Sequence, residues 1–360
     1  MSLQIHGMIG HRLSSEIIAP VGPVFDKDYI RAFAQAHEQA GFDRILVGYW
    51  SEQPDGFLVS ALAGLATSRL GLLLAHRPGF VAPTLAARKL ATLDALLDGR
   101  LALNVISGGS DAEQRKDGDF LDHDQRYART DEFLEVVRKT WTAERPFDHE
   151  GRFYKVEKAY SAIKSEQQPH IPVFFSGASE AAIQVAGKHA DVYMLWGESL
   201  ANTRQLVERV RAEAAANGRT IAFSLSFRPI VAETEEAAWA KAETILQQAR
   251  ERIARTGAPE GKPQSAGAQR LREEAARGER LDRRLWTGIA GLVGGGQNST
   301  ALVGTPEQVA DALLDYYDLG IEQFLIRGFD PLNDAIEYGR ELIPTLRAKV
   351  AERERARQSA

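Results

Sequence analysis

The sequence predicts an α/β chain folded as a single (β/α)8 TIM barrel, with insertions after the fourth strand and between the seventh and eighth. Three observations predict it. Short aliphatic and β-branched runs alternate with amphipathic helical stretches, the pattern of a parallel sheet covered by helices. There are eight such strand runs, and eight strands close a barrel. An open doubly wound sheet, the alternative, expects G-x-G-x-x-G after the first strand, and Met8-Ile9-Gly10-His11-Arg12 stands there instead.

In chain order the strand runs are Leu3–Ile9, Arg44–Gly48, Leu70–Ala75, Leu101–Ile106, Ile171–Phe175, Val192–Trp196, Ile221–Val231 and Gln323–Ile326. Helical periodicity falls on Tyr29–Gln39, Phe57–Ala66, Pro83–Leu97, Ala178–Gly187, Leu200–Ala216 and Glu235–Thr256, and on a closing pair at Pro306–Leu319 and Leu332–Val350. Thr305-Pro306-Glu307-Gln308 is a capping box with proline at the first helical position. Val309, Leu313 and Tyr316 follow at core spacing, and Gly320 stops the helix.

Two segments interrupt the alternation. Residues 108–164 hold a helix over Arg126–Thr142 and a hairpin around His149-Glu150-Gly151. Residues 257–304 are polar and charge-rich up to Arg284 and glycine-rich over Gly294–Asn298; they read as a mobile lid at the barrel end where such sites sit. Asn298-Ser299-Thr300 is formally a glycosylation sequon, without meaning in a chain that is not secreted. Residues 351–360 are expected to be a flexible tail, and Arg347–Arg357 alternates charge like a solvated helix face. One domain is expected over residues 1–360.

Composition narrows the class. The 360 residues are 44% hydrophobic and 26% charged, an ordinary globular mix able to bury a core without staples. A formal net charge of -5 supplies no basic field for nucleic acid or an anionic membrane. Without cysteine there are no disulfides, Cys-held zinc sites or thiol nucleophiles. The start lacks the features of a secretory leader and no apolar run spans a bilayer, so a cytoplasmic protein is expected. H-E-x-x-H, P-loop, G-x-S-x-G and EF-hand patterns are absent and the histidines are scattered singly, so no protein-held metal is expected.

What remains is a set of polar residues at strand ends. Asn104 and Ser107 close the fourth strand before Gly108-Gly109, where a backbone can approach a flat ligand. Ser176-Gly177-Ala178-Ser179 follows the fifth strand and opens a helix, either an anion site at exposed N–H groups or a plain N-cap. His123, Arg126, Tyr127 and Arg129 lie within two turns, suited to a phosphate or simply a solvated basic patch. Trp196 ends the sixth strand. Arg228 interrupts the apolar seventh and Arg327 ends the eighth; an inward arginine needs an anionic partner, whether structural or a ligand. His11 and His76 are the histidines placed for proton transfer, with a structural role favoured for His76.

Several strings recur in a fixed order: Arg77-Pro78-Gly79, Pro83-Thr84 with Arg88, Ala91-Thr92-Leu93-Asp94, Asp98-Gly99-Arg100, and Phe120 to His123 with Arg126-Tyr127. Gly177 with Ser179, Trp196-Gly197-Glu198, Leu285-Trp286 and Thr300 to Gly304 follow. Together they cover most of the chain and resemble the flavin-dependent monooxygenases of the bacterial luciferase-like superfamily, most of all its two-component alkanesulfonate monooxygenases. The resemblance implies FMN at the C-terminal face of the barrel. His123, Tyr127, Gly177, Ala178 and Ser179 then match the phosphate and ribityl site, and Asn104 and Ser107 the segment beside the isoalloxazine. Trp196 and His11 match pocket-lining positions. It also implies FMNH2 from a separate NAD(P)H:FMN reductase, O2 as co-substrate, sulfite and an aldehyde as products, and a homodimer or homotetramer.

The chain departs from the alkanesulfonate pattern at Ser226 and Arg228, where that branch carries Arg and His. It departs also at Gly294 in place of a lid Arg, and at Phe329 in place of Tyr. The substrate side is therefore expected to rest on Arg228, Arg327, Trp196 and Phe329, with His11, Arg228 and Trp196 as the catalytic set. Arg228 and Arg327, on adjacent strands, form a relocated oxyanion clamp, or else a structural ion pair with Asp330 or Glu198. Besides C–S cleavage in a small organosulfur anion, three readings stay open. They are the same chemistry on a sulfone, sulfosugar, aminocarboxylate or heterocycle, a deazaflavin (F420)-dependent dehydrogenase, and a barrel that binds flavin without turnover.

Overall fold

The computed structural model describes residues 3–257, 265–296 and 298–359. The first half of the chain contributes β1 (Gln4–Ile9), α1 (Lys27–Gln39), β2 (Arg44–Val47), α2 (Gly56–Leu65), β3 (Gly71–His76), α3 (Pro83–Leu96) and β4 (Leu101–Val105). An insertion follows, with α4 (Asp111–Lys116), α5 (His123–Thr142) and the hairpin β5 (Phe147–Glu150) and β6 (Lys155–Ala159). Next come β7 (Val173–Ser176), α6 (Glu180–His189), β8 (Val192–Trp196), α7 (Leu200–Ala216), β9 (Ala222–Val231) and α8 (Glu235–Thr256). The late insertion holds α9 (Ala266–Arg277), β10 (Arg280–Leu281), β11 (Leu285–Trp286), α10 (Gly288–Leu292) and β12 (Ala301–Gly304). The chain closes with α11 (Pro306–Tyr317), β13 (Gln323–Ile326), α12 (Pro331–Glu337), a π-helical turn at Tyr338–Leu342 and α13 (Ile343–Gln358).

Eight strands close a parallel barrel in the order β1-β2-β3-β4-β7-β8-β9-β13, and β13 returns to pair with β1. The expected (β/α)8 architecture and both insertion points are found. The alternation of each strand explains the closure. Outward residues such as Leu72, Leu74, Leu101 and Leu103 join the main core beneath the helices. Inward residues Leu73, Ala102, Phe174 and Val192 form a separate small cluster that fills the barrel. Strands buried on both faces need continuous apolar runs, which is how they read in sequence.

Helix starts are fixed by side chains that satisfy first-turn N–H groups. Asp26, Asp55, Ser179 and Thr234 each accept from the first turn of the helix they precede. Asp122 with Gln125 and Thr305 with Gln308 complete two capping boxes, the second as the sequence predicts.

The described part of the segment 257–304, expected as a mobile lid, carries α9, a two-residue ribbon, α10 and β12. β12 pairs in parallel with the outer half of β9, Ala301 opposite Arg228 and Gly304 opposite Val231. Residues 351–358 form the last turns of α13, where Arg357 pairs with Asp318 at 2.7 Å and Arg353 pairs with the same carboxylate. Among the described residues no helix is long and apolar enough to cross a membrane.

Candidate active site

Each barrel strand ends by turning one inward side chain toward the C-terminal mouth. Met8, Leu46, Ala75, Asn104, Ser176, Met194, Ser226 and Leu325 together floor a cavity of about 590 Å³. The loops above and the strand ends supply its walls: Ser107 and Gly108 after β4, His123 and Tyr127 on the first turns of α5, Gly177 to Ser179 before α6, and Trp196 at the end of β8. The structure thus gathers Asn104, Ser107, His123, Tyr127, Gly177, Ala178, Ser179, Trp196 and Arg327 around one space.

One corner gathers hydrogen-bond donors around the start of α6. The α6 N-terminus opens onto the cavity, and the Ser179 hydroxyl caps it by accepting from Ala182 N at 3.3 Å. Gly177 has φ +132, and a Cβ there would stand 2.8 Å from both the Tyr127 Oη and the Ala182 Cβ, so only glycine lets the backbone lie against the phenol. Tyr193 donates to the Gly177 carbonyl and fixes the turn. Burial pushes the Tyr127 phenol up, with a Ser179 hydrogen bond and Arg126 opposing, so it remains a donor at neutral pH. The His123 ring stands 4.8 Å from the Tyr127 ring, and its Nδ1 lies 2.7 Å from Asp124. Arg126 has a different task. It donates to the Leu121 carbonyl at 2.6 Å and to Asp111 at 2.9 Å, tying α5 to α4.

The deeper part is polar but incompletely paired. Asn104 is buried, and its Oδ1 has no partner. Asn298, also buried and with φ +50, donates to Ser226 Oγ and leaves its own Oδ1 unpartnered. Orphaned buried acceptors are costly, and these two line one cavity, where they are available to N–H groups of a ligand. Ser107 Oγ meets Thr130 Oγ1 at 2.9 Å.

The roof comes from α9. Ser265, Ala266 and Gly267 line the cavity, and Gly267 presses on Trp196 so closely that a Cβ would sit 3.2 Å from its indole. Beside Trp196, buried Glu198 is gripped by Arg270 of α9, whose Nε lies 2.7 Å from Oε1 and 3.0 Å from Oε2. Glu274 of α9 accepts from Ser199 N at 3.0 Å and from Asn202 at 2.6 Å at the start of α7. The glycine-rich run packs on the same helix, Arg272 donating to the Gly294 carbonyl at 3.1 Å.

A second cavity, about 530 Å³, adjoins the first and shares Met8, Gly48, Trp50 and Arg327 with it. His11, Glu16 and Arg228 line it. Burial and then Arg12 hold the His11 imidazole below its usual range, so it is neutral at pH 7. Arg228 and Arg327 do come from paired strands, but Arg228 lines only this second cavity. Its structural partner is neither Asp330 nor Glu198: Nη1 lies 2.6 Å from Glu16 Oε1, and Nη2 donates to the Gly328 carbonyl at 2.9 Å. Phe329, expected on the substrate side, sits elsewhere. It is buried in the α8–β12 core, faces neither mouth cavity, and carries the Arg228 guanidinium 3.6 Å above its ring. His76 lies between Phe57 and Phe133, outside both cavities; its Nε2 has no hydrogen-bond partner, and burial holds the imidazole at about 4.

Four lining residues carry no site role on sequence alone. Glu16 sits in a loop with no periodic signal. Asn298 was visible only as a sequon. Arg77 and Trp50 follow the β3 and β2 ends, a position that could have marked them. Away from the mouth, Asp131, Glu135 and His189 cluster on α5 and α6, but the Lys188 ammonium already sits 2.8 Å from both carboxylates.

Residues 3–323 match the family model of the luciferase-like monooxygenases. Among solved structures, the riboflavin lyase RcaE, determined with modified FMN and riboflavin, superposes with a TM-score of 0.80 at 24% identity, over 97% of this chain and 92% of that one. EDTA monooxygenase from Chelativorans sp. BNC1 gives 0.76 at 21% identity, over 97% and 94%. DmoA from Hyphomicrobium sulfonivorans gives 0.77 at 22%, over 97% and 88%. With the family matched across nearly the whole barrel, the chain belongs to the luciferase-like monooxygenases and is a flavin-dependent monooxygenase.

Proposed function

We propose that the protein is the oxygenase of a two-component system that takes FMNH2 from an NAD(P)H:FMN reductase and uses O2 to oxygenate a small organic anion. An organosulfonate that loses sulfite is the leading candidate. The observation that carries this reading is the first cavity. A helix N-terminus with Tyr127, Ser179 and His123 at one end suits a phosphate, and the orphaned Asn104 and Asn298 amide oxygens suit the N–H groups of a flavin ring.

Reduced FMN with O2 supplies the oxygen-transfer chemistry; the protein binds, orients and excludes water. Ser107, Gly108 and the Asn104 amide lie along one edge of the ring site, and Trp196 under α9 shields it from solvent. The substrate's anionic group belongs in the second cavity, near Arg228 and Arg327, with neutral His11 placed to accept or return a proton.

The test is sulfite release and O2 consumption, coupled to an FMN reductase, across alkanesulfonates, sulfones and aminocarboxylates. Substrate-dependent product with FMNH2 supports the reading. Sulfite marks the sulfonate form, and a carboxylate substrate the sister form that Glu16 between the arginines favours. Turnover only with reduced F420, or peroxide alone on every substrate, contradicts it.

A further inference from the structure

The segment between β1 and α1 crosses the mouth as a strap closed on itself. Asp26 N donates to His11 O at 2.9 Å and Val21 N to Leu13 O at 3.0 Å. At its centre is a tight turn: Ser15 N donates to Ile18 O at 3.0 Å, while Ser15 Oγ accepts from Ile17 N at 3.2 Å and Ile18 N at 3.1 Å. The turn presents Glu16 to the second cavity. There its Oε1 stands 2.6 Å from Arg228 Nη1 and 3.7 Å from Arg327 Nη2.

This is an oxyanion site with a resident oxyanion. Arg228 is buried, oriented by the Gly328 carbonyl and the Phe329 ring, and its position does not depend on Glu16 alone. Arg327 stands at the junction of the two cavities, where a group held in the second would meet a ring held in the first. Burial would raise the Glu16 carboxyl, yet the two guanidiniums hold it at about 2, so it is fully charged. The carboxylate is carried by a loop, whereas both arginines are carried by barrel strands or their immediate ends.

We propose that Glu16 is a tethered carboxylate filling the oxyanion subsite of Arg228 and Arg327, and that a substrate bearing a carboxylate or sulfonate reaches the flavin by displacing it. The Ser15–Ile18 turn swings out as the substrate's anion takes its place. Glu16 thereby admits substrates able to replace one oxyanion with another and keeps the arginine pair closed to neutral molecules. This rests on the reading of the neighbouring cavity as the flavin site. It adds a gate that the reading does not require.

A tethered group competes at millimolar effective concentration or higher, so removing its charge unmasks the subsite. The experiment titrates wild type, Glu16→Gln and the double variant Glu16→Gln/Arg228→Met with sodium methanesulfonate and sodium propionate by calorimetry at constant ionic strength. Glu16→Gln is expected to bind at least one probe about tenfold more tightly than wild type, and the double variant to lose the gain. The probe that gains more identifies the substrate's anion. Affinities within twofold of wild type for both probes overturn the proposal.

A second measurement needs no variant. In wild type, saturating probe should speed hydrogen exchange at the Ile17 and Ile18 amides as the turn opens, and unchanged or slower exchange there refutes displacement. Oxidised FMN is titrated in parallel. Flavin binding without an anion gain rejects the gate and leaves the flavin site standing; an anion gain without flavin binding does the reverse.

Discussion

Replacing Arg270 with Met tests whether α9 roofs the cavity proposed for the flavin. The side chain grips Glu198 through Nε and Nη2, and Glu198 keeps only 4% of its side-chain surface while Arg270 keeps 23%. Removing one partner of a buried pair strands the other charge, at about 3–5 kcal/mol. The partial exposure of Arg270 argues for the low end, roughly 3 kcal/mol. If that cost falls on the docking of α9, the population of undocked helix rises about a hundredfold. Amide hydrogen exchange across Ala266–Arg277 should quicken by that factor, while β3 and β4 are unchanged. Oxidised FMN should also leave faster. Glu198→Gln combined with Arg270→Met removes the stranded charge and should recover part of the protection. Exchange in α9 within threefold of wild type would refute the reasoning, because the pair would not then be what holds the roof.

Other outcomes follow from the same geometry. Gly177→Ala forces a Cβ to 2.8 Å from Tyr127 Oη at a positive φ, and should lower stability by about 1–3 kcal/mol and weaken FMN binding; an unchanged melting temperature would contradict it. Asn104→Leu removes an unpaired acceptor, and should leave the melting temperature of the flavin-free protein level or higher while flavin affinity falls; equal affinity would show that the orphan is not a ligand contact. Glu16 has its carboxyl lowered from 4.5 to about 2, so its pairing stabilises the fold above pH 4.5 and is lost as pH falls toward 2. With its side chain only 17% exposed, that contribution is roughly 3 kcal/mol. The stability gap between wild type and Glu16→Gln should therefore shrink across that window in urea titrations, and a flat gap would refute the pairing.

Much of this was legible in the sequence, for physical reasons. Strands buried on both faces are short continuous apolar runs, so all eight barrel strands could be read in place. Asn104 and Ser107 broke the pattern of such a run at its C-terminal end, and Ser179 stood where a helix start exposes its N–H groups. What escaped depends on where side chains point beyond the regular ladder. Arg228 lies just past the last β9–β13 pair, where β9 has begun to pair with β12, and strand periodicity could not say which cavity it faces. Phe329 follows β13 and turns inward beneath Arg228, a direction set by tertiary packing. Residues 265–277 read as part of a mobile lid because the helix is polar. Its buried positions are only Ala268, Leu271 and Glu274, and its hold on the barrel is ionic, through Glu198 and the start of α7.

The central claim is that the cavity takes FMN with its phosphate at the start of α6. Anaerobic titration of reduced FMN and reduced riboflavin into wild type and Ser179→Asp tests it most directly. Aspartate caps a helix as well as serine does, so the substitution adds a charge and little else. The account predicts that the variant binds FMN at least tenfold more weakly and riboflavin with unchanged affinity. Equal losses for both ligands, or no loss for either, would place the phosphate elsewhere and contradict the account.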